Sequence, residues 1–289
     1  MISRLDLRAR QVVEGFFSGL HKSPVFGHSI EFVQHREYTI GDDIRHLDWK
    51  VWSKTDRYYI KQYEAETNLR SQLVVDVSNS MHYGNGHLNK YNYACTVGAC
   101  LAYLLLRQQD TVGLITFDDD VRQVVPSRST QNHMDALLKA MDVSRPRDKT
   151  DIEKILRRVA ENVPTRSMII LISDLFVDRD ALFRGLEMLR HGRHDLLLFH
   201  VMDDDELVFP FTGTTRFEGM EELDQILCDP RALRDNYLEV VEEYLTEVRR
   251  GCARRNIDYQ LVHTKEYLDA ALSKFLHHRI AMMKAPAKG

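Results

Sequence analysis

The sequence predicts an α/β fold: a doubly wound, mostly parallel sheet of Rossmann-like type, preceded by a small β-rich N-terminal module. Three observations carry this. From about residue 71, short apolar runs alternate with longer helical patterns, which is the signature of strand–helix–strand units. Several of the runs are almost continuous in Val, Ile and Leu, as parallel strands covered on both faces are. Residues 1–70 lack this alternation; they mix aromatic and β-branched residues with balanced charge and hold both tryptophans, Trp49 and Trp52.

The first segment, LDLRARQVVEGFFSGL (5–20), reads as a short helix. Partial alternation in SIEFVQHREYTI (29–40) and DRYYIKQYEAET (56–67) predicts two strands, with IGDD (40–43) as a turn between them. Strands follow at SQLVVDV (71–77), TVGLITF (111–117), RQVVPS (122–127), SMIILIS (167–173), DLLLFHVM (195–202) and IDYQLVHT (257–264). Helices are expected at 91–109, 130–141, 151–163, 181–191, 231–255 and 267–281. Asp229 before Pro230 is a good helix start, a capping carboxylate followed by proline at the first helical position. FTGTTRFEGMEELDQILC (211–228) reads as an inserted hairpin. The expected domains are a module over 1–70 and a sheet domain over 71–289.

Composition narrows the function classes. A net charge of -4 gives no bulk electrostatic reason to bind nucleic acid or anionic lipid. No apolar run reaches the roughly 20 residues of a membrane helix; the longest, ACTVGACLAYLLL (94–106), suits a buried helix. The N-terminus has acidic residues and no signal-peptide core, so a cytoplasmic location without membrane insertion is expected. The four cysteines, at 95, 100, 228 and 252, have no zinc spacing and read as small buried residues.

In an open parallel sheet, ligands sit at the carboxyl ends of the strands near the reversal of strand order. Three such places offer oxygen donors. Asp76, Ser78 and Ser80 follow the first strand, Thr150 precedes a helix, and Asp174 closes SMIILIS. Two carboxylates and three hydroxyls, with no sulfur or imidazole, suit a hard dication, Mg2+ or alternatively Mn2+ or Ca2+. Each piece also has an ordinary structural reading. Residues 78–80 could shape a turn, Thr150 and Glu153 satisfy a capping box, and Asp174 could be a strand-end turn residue. Jointly, at the right ends of the expected sheet and in this order, they outweigh those readings.

These residues also carry a family resemblance. Asp76-x-Ser78-x-Ser80 with Thr150 and Asp174 downstream resembles the metal-ion-dependent adhesion site of von Willebrand factor A domains. Gly19, His21, Ser23 and Gly27, followed by EF (31–32), REY (36–38), GDDIRHLDW (41–49) and YIKQYEAE (59–66), resemble the bacterial domain of unknown function fifty-eight. The likeness covers roughly residues 15 to 280. It implies a von Willebrand A-like sheet, direct binding of the cation by Ser78 and Ser80, and Asp76, Thr150 and Asp174 completing the shell, partly through water. It also implies an interaction function: a partner protein offering an Asp or Glu carboxylate, with a MoxR-type AAA+ ATPase as the expected partner.

Other signals are weaker. Asp42, Asp43 and Asp48 flank Arg45 and read as a salt-bridge network within the N-terminal module. Trp49 and Trp52 read as packing residues, Asp118–Asp120 and Asp203–Asp205 as solvated turns, and His191, His194, His277 and His278 as surface histidines. The alternative function is a metal-dependent phosphohydrolase with Asp76 as nucleophile. Such an enzyme needs a second carboxylate two residues on, where this chain has Ser78. No phosphate-binding glycine loop follows the first strand.

Overall fold

The computed structural model describes residues 2–19, 32–39, 47–63, 69–84, 89–142, 151–219, 225–268 and 273. In chain order the elements are α1 (Ile2–Gly19), β1 (Phe32–Glu37), α2 (Trp49–Thr55), β2 (Tyr59–Tyr63), β3 (Arg70–Asp76), α3 (Lys90–Arg107), β4 (Thr111–Phe117), β5 (Val121–Arg128), α4 (His133–Met141), α5 (Ile152–Asn162), β6 (Met168–Ser173), α6 (Arg179–His191), β7 (Asp195–Met202), α7 (Asp204–Val208), β8 (Thr215–Glu218), β9 (Gln225–Cys228), α8 (Pro230–Arg254) and β10 (Asp258–His263). The expected helix over 267–281 falls largely outside the described residues.

Six strands form one sheet in the order β10-β7-β6-β3-β4-β5. All neighbours are parallel except the edge strand β5, which runs antiparallel to β4. Pro126 lies in that edge strand, where a missing N–H is tolerated. Successive residues of the central strands point to opposite faces, so each continuous apolar run feeds two cores. Leu73, Val75, Ile170, Ile172, Leu197 and Phe199 pack with α1, α3 and α4. Val74, Ile169, Leu171, Leu196 and Leu198 pack with α5, α6 and the C-terminal part of α8.

The chain divides into two compact units, Leu20–Asn68 and the remainder. In the smaller unit β1 pairs antiparallel with β2, and α2 starts at Asp48, whose carboxylate accepts from Lys50 N and Val51 N. Asp48 is therefore a helix cap, while its expected partner Arg45 lies outside the described residues. Trp49, 59% exposed, and Trp52 are not packed away as expected; Trp52 stacks on Tyr58 within the same unit. Helix α1 groups with the sheet unit, where it lies against α3, although the sequence placed it in the N-terminal module. Its Ala9 and Val13 are buried in that core, which is the physical reason.

The inserted hairpin forms as β8 and β9, and α8 begins as read, with Asp229 accepting from Arg231 N ahead of Pro230. Two expected turns differ. Asp118 is buried and paired with Arg122, and Asp203 is buried as the cap of α7. His194 is not a surface residue either: it is buried beside Ser167, whose N–H donates to its Nδ1. His277 and His278 lie outside the described residues. Cys95, Cys100 and Cys252 are buried free thiols, and Cys228 is half-buried and free. Among the described residues, no helix is long and apolar enough to cross a membrane.

Candidate functional site

After β3 the chain turns to β4 on one side of the sheet, and β6 then returns to the other side of β3. The reversal of strand order therefore falls between the carboxyl ends of β3 and β6. Asp76 is the last residue of β3 and Asp174 immediately follows β6. In-register pairing of Val75 with Ile172 brings the next residues, Asp76 and Ser173, side by side. Ser173 Oγ donates to Asp76 Oδ2 at 2.6 Å.

The loop after β3 turns back over this rim. Ser78 N donates to Asp76 Oδ1 at 2.9 Å, an Asx-type turn, and a 3-10 turn follows at Asn79–His82. That turn places Ser78 Oγ 3.1 Å from Ser80 Oγ. The Ser78 hydroxyl also favours the charged form of Asp76, and the Ser80 hydroxyl that of Asp174. The turn reading of residues 78–80 and the convergence of their hydroxyls are thus both true of one loop. Asp76, Ser78 and Ser80 are linked by hydrogen bonds, and Asp174, next to Ser173, is close enough for its charge to act on Asp76; Thr150 lies outside the described residues.

Thr150, the expected cap of α5, lies outside the described residues. Asp151 caps that helix, accepting from Lys154 N at 3.1 Å, because the helix begins at Ile152, one residue later than the capping box requires. Glu153 instead pairs with Arg184 and Arg157.

Electrostatics set this rim apart. Burial pushes the Asp76 carboxyl up to about 7, and the neighbouring Asp174 charge adds to the shift. Asp174 is equally buried, which disfavours its charge, yet Lys90 more than offsets this and holds its pKa below the usual range. Lys90 Nζ lies 2.8 Å from Asp174 Oδ2 and 2.6 Å from Glu206 Oε1. Lys90 is the first residue of α3, only 1% exposed, and Glu206 belongs to α7. Burial opposes the lysine charge, but the two carboxylates outweigh it and raise its pKa.

Sequence reading missed Lys90, Glu206 and Ser173. A signal did exist for Lys90. A cation at a helix N-terminus opposes the helix dipole, so a lysine opening a long buried helix needs an anionic partner elsewhere.

The donor set fits a hard dication. It is all oxygen, and the Asp174 charge acts on the buried Asp76 carboxyl, which accepts from the neutral donors Ser78 N and Ser173 Oγ, whereas Asp174 is paired with Lys90. Among the described residues no three His, Cys, Asp or Glu side chains gather as a metal cluster, so a site here depends on hydroxyls as well. Leu175 follows Asp174 with φ +53, a left-handed conformation uncommon for a branched side chain. It is held by its N–H to Ser173 Oγ at 2.9 Å and by the Tyr244 hydroxyl on its carbonyl. This turn buries Leu175 and leaves Phe176, 75% exposed, beside the rim.

Comparison with known proteins places the chain among relatives of unassigned role. The family model described as "Protein of unknown function DUF58" matches residues 34–246. Uncharacterized proteins of Mycobacterium bovis and Mycobacterium tuberculosis are 26% identical over 256 residues, covering 86% of this chain and 80% of theirs. Among solved structures, BatB of Bacteroides thetaiotaomicron aligns at 16% identity and TM-score 0.48, over 74% of this chain and 99% of that one. An aerotolerance-related membrane protein of Bacteroides fragilis aligns at 17% identity and TM-score 0.49, over the same shares.

Proposed function

We propose that this chain, which belongs to the family described as protein of unknown function DUF58, is a divalent-cation-dependent protein-interaction module without catalytic activity. The observation that supports this most is the gathering of the Asp76, Ser78 and Ser80 oxygens at the strand-order reversal, with the Asp174 charge acting on Asp76 and the Ser80 hydroxyl on Asp174. Ser78 and Ser80 would hold Mg2+, or Mn2+ or Ca2+, with Asp76 and Asp174 balancing its charge and Thr150 as the fifth ligand. A bound ion would supply Lewis acidity for capturing a carboxylate from another protein. The exposed Phe176 adds apolar surface next to that position.

The resemblance to domain of unknown function fifty-eight supports the choice of partner, a MoxR-type AAA+ ATPase, for which this chain would act as an adaptor. A cytoplasmic location agrees with such a partner. The phosphohydrolase alternative gains nothing from the geometry. Ser78 stands where the acid/base carboxylate would be needed, and both Asp76 oxygens already accept hydrogen bonds.

Calorimetric titration of Mg2+ into wild type and Asp76→Ala tests the reading. Saturable binding by the wild type, lost in a folded Asp76→Ala, is the expected result. Capture of the ATPase should be lost on adding EDTA. Equal capture with and without chelator would reject the metal dependence, and Mg2+-dependent phosphatase turnover lost in Asp76→Ala would favour the alternative.

A further inference from the structure

Lys90 is buried beside the candidate cation site, paired with Asp174. Lys90 joins three strand-end segments: its own helix after β3, Asp174 after β6 and Glu206 in the helix after β7. Glu206 is itself fixed, because its Oε2 accepts from Asp203 N at 2.7 Å within the capping box of α7. Asp203 in turn accepts from Thr264 Oγ1 at 2.7 Å, at the end of β10. The lysine is therefore tied through Glu206 and Asp203 to the ends of β7 and β10.

Asp174 is correspondingly occupied. Its Oδ2 accepts from Lys90 Nζ at 2.8 Å and its Oδ1 from Phe176 N at 3.2 Å. A carboxylate held this way on both oxygens is not free to swing onto a cation held by the serines. Direct ligation by Asp174 would neutralise more of the ion's charge and take up a coordination position.

We propose that Lys90 is a positioning residue that holds Asp174 back from the bound cation, so that the ion keeps an open position and enough positive charge to take a carboxylate from a partner. This rests on the cation-site reading above. It assigns the Lys90–Glu206 pair to tuning the ion, trading cation affinity for affinity toward the incoming acid group.

The test uses Mn2+ alone as the probe on the full chain, with calorimetry for affinity and water-proton relaxation for the number of exchanging waters on the ion. Two variants are compared with wild type. Lys90→Met removes the restraint and one positive charge. The double variant Lys90→Met/Glu206→Gln removes the restraint but leaves the local net charge unchanged, and it strands no unpaired glutamate if the single variant folds poorly. Both variants are expected to bind Mn2+ more tightly, on the order of tenfold for a lost neighbouring charge in Lys90→Met and less in the double variant. Both should show lower relaxivity, as Asp174 replaces a water.

Unchanged or weaker affinity with unchanged relaxivity in both variants would overturn the assignment. So would a double variant that behaves as wild type while Lys90→Met binds tighter, since the lysine would then act through its charge alone. Failure of the wild type to bind Mn2+ would instead defeat the cation-site reading itself.

Discussion

His200 shows how far a single buried residue can set the response to acid. It lies inside β7 with Nδ1 2.8 Å from the Tyr259 hydroxyl, and burial pushes its pKa down to about 4, helped by the charge of Lys90 and opposed by Asp174. An unfolded histidine titrates near 6.5, so between those values the unfolded chain binds a proton that the folded chain refuses. The stability due to neutral His200 is complete above about pH 6.5 and falls away as pH drops toward 4. Full loss amounts to at most about 3 kcal/mol. Asp76, pushed up to about 7, works with the opposite sign over the same range, because its folded form holds the proton more tightly. The useful comparison is therefore wild type against His200→Gln, melted with chelator present from pH 7 to pH 4. The variant should lose less stability than the wild type across that range. Parallel curves would show that His200 is not held neutral. At this scale the sequence was legible where a residue's role is local. Asp229 capping α8 and the turn at Ser78 could be read from neighbours in the chain. The pairing of Lys90 with Glu206 could not, because they are 116 residues apart and only the folded sheet brings them within 2.6 Å.

At the scale of elements, the strands were the most legible, because parallel strands buried on both faces leave continuous apolar runs that no helix of that length needs. The helices were readable in existence but less so in their starts, as α5 shows by beginning at Ile152 with Asp151 as its cap. Contacts between helices leave almost no trace in sequence. Helix α6 approaches α5 closely at Gly185, where an added Cβ would lie 2.9 Å from Leu156 Cβ and 2.7 Å from its Cδ1. Gly185→Ala should therefore destabilise the sheet unit. A helical alanine gains up to about 1 kcal/mol over glycine, but forcing apart a packed core costs roughly 1–3 kcal/mol. Denaturant unfolding should show a net loss on the order of 1 kcal/mol with an unchanged slope; a more stable variant would mean that α5 yields easily. The loop after β6 illustrates the opposite use of backbone: a left-handed Leu175, uncommon for a branched residue, turns its own side chain inward and Phe176 outward.

For the whole molecule, the strand order places the ends of β3 and β6 on either side of the reversal, and every described member of the candidate site comes from those two ends. The smaller unit, Leu20–Asn68, was legible as a change in composition, whereas the attachment of α1 to the sheet unit was not. That attachment depends on Ala9 and Val13 meeting α3 across some 90 residues of chain, as the 91-residue separation of Ala9 from Cys100 illustrates. The central claim, that oxygens from separate strand ends hold one divalent ion, is most directly tested by anomalous diffraction from crystals soaked in Mn2+. One manganese peak per chain is expected, bounded by the hydroxyls of Ser78 and Ser80 with the carboxylates of Asp76 and Asp174 around it. A saturating soak that leaves this rim without a peak, or puts manganese only elsewhere on the chain, would contradict it.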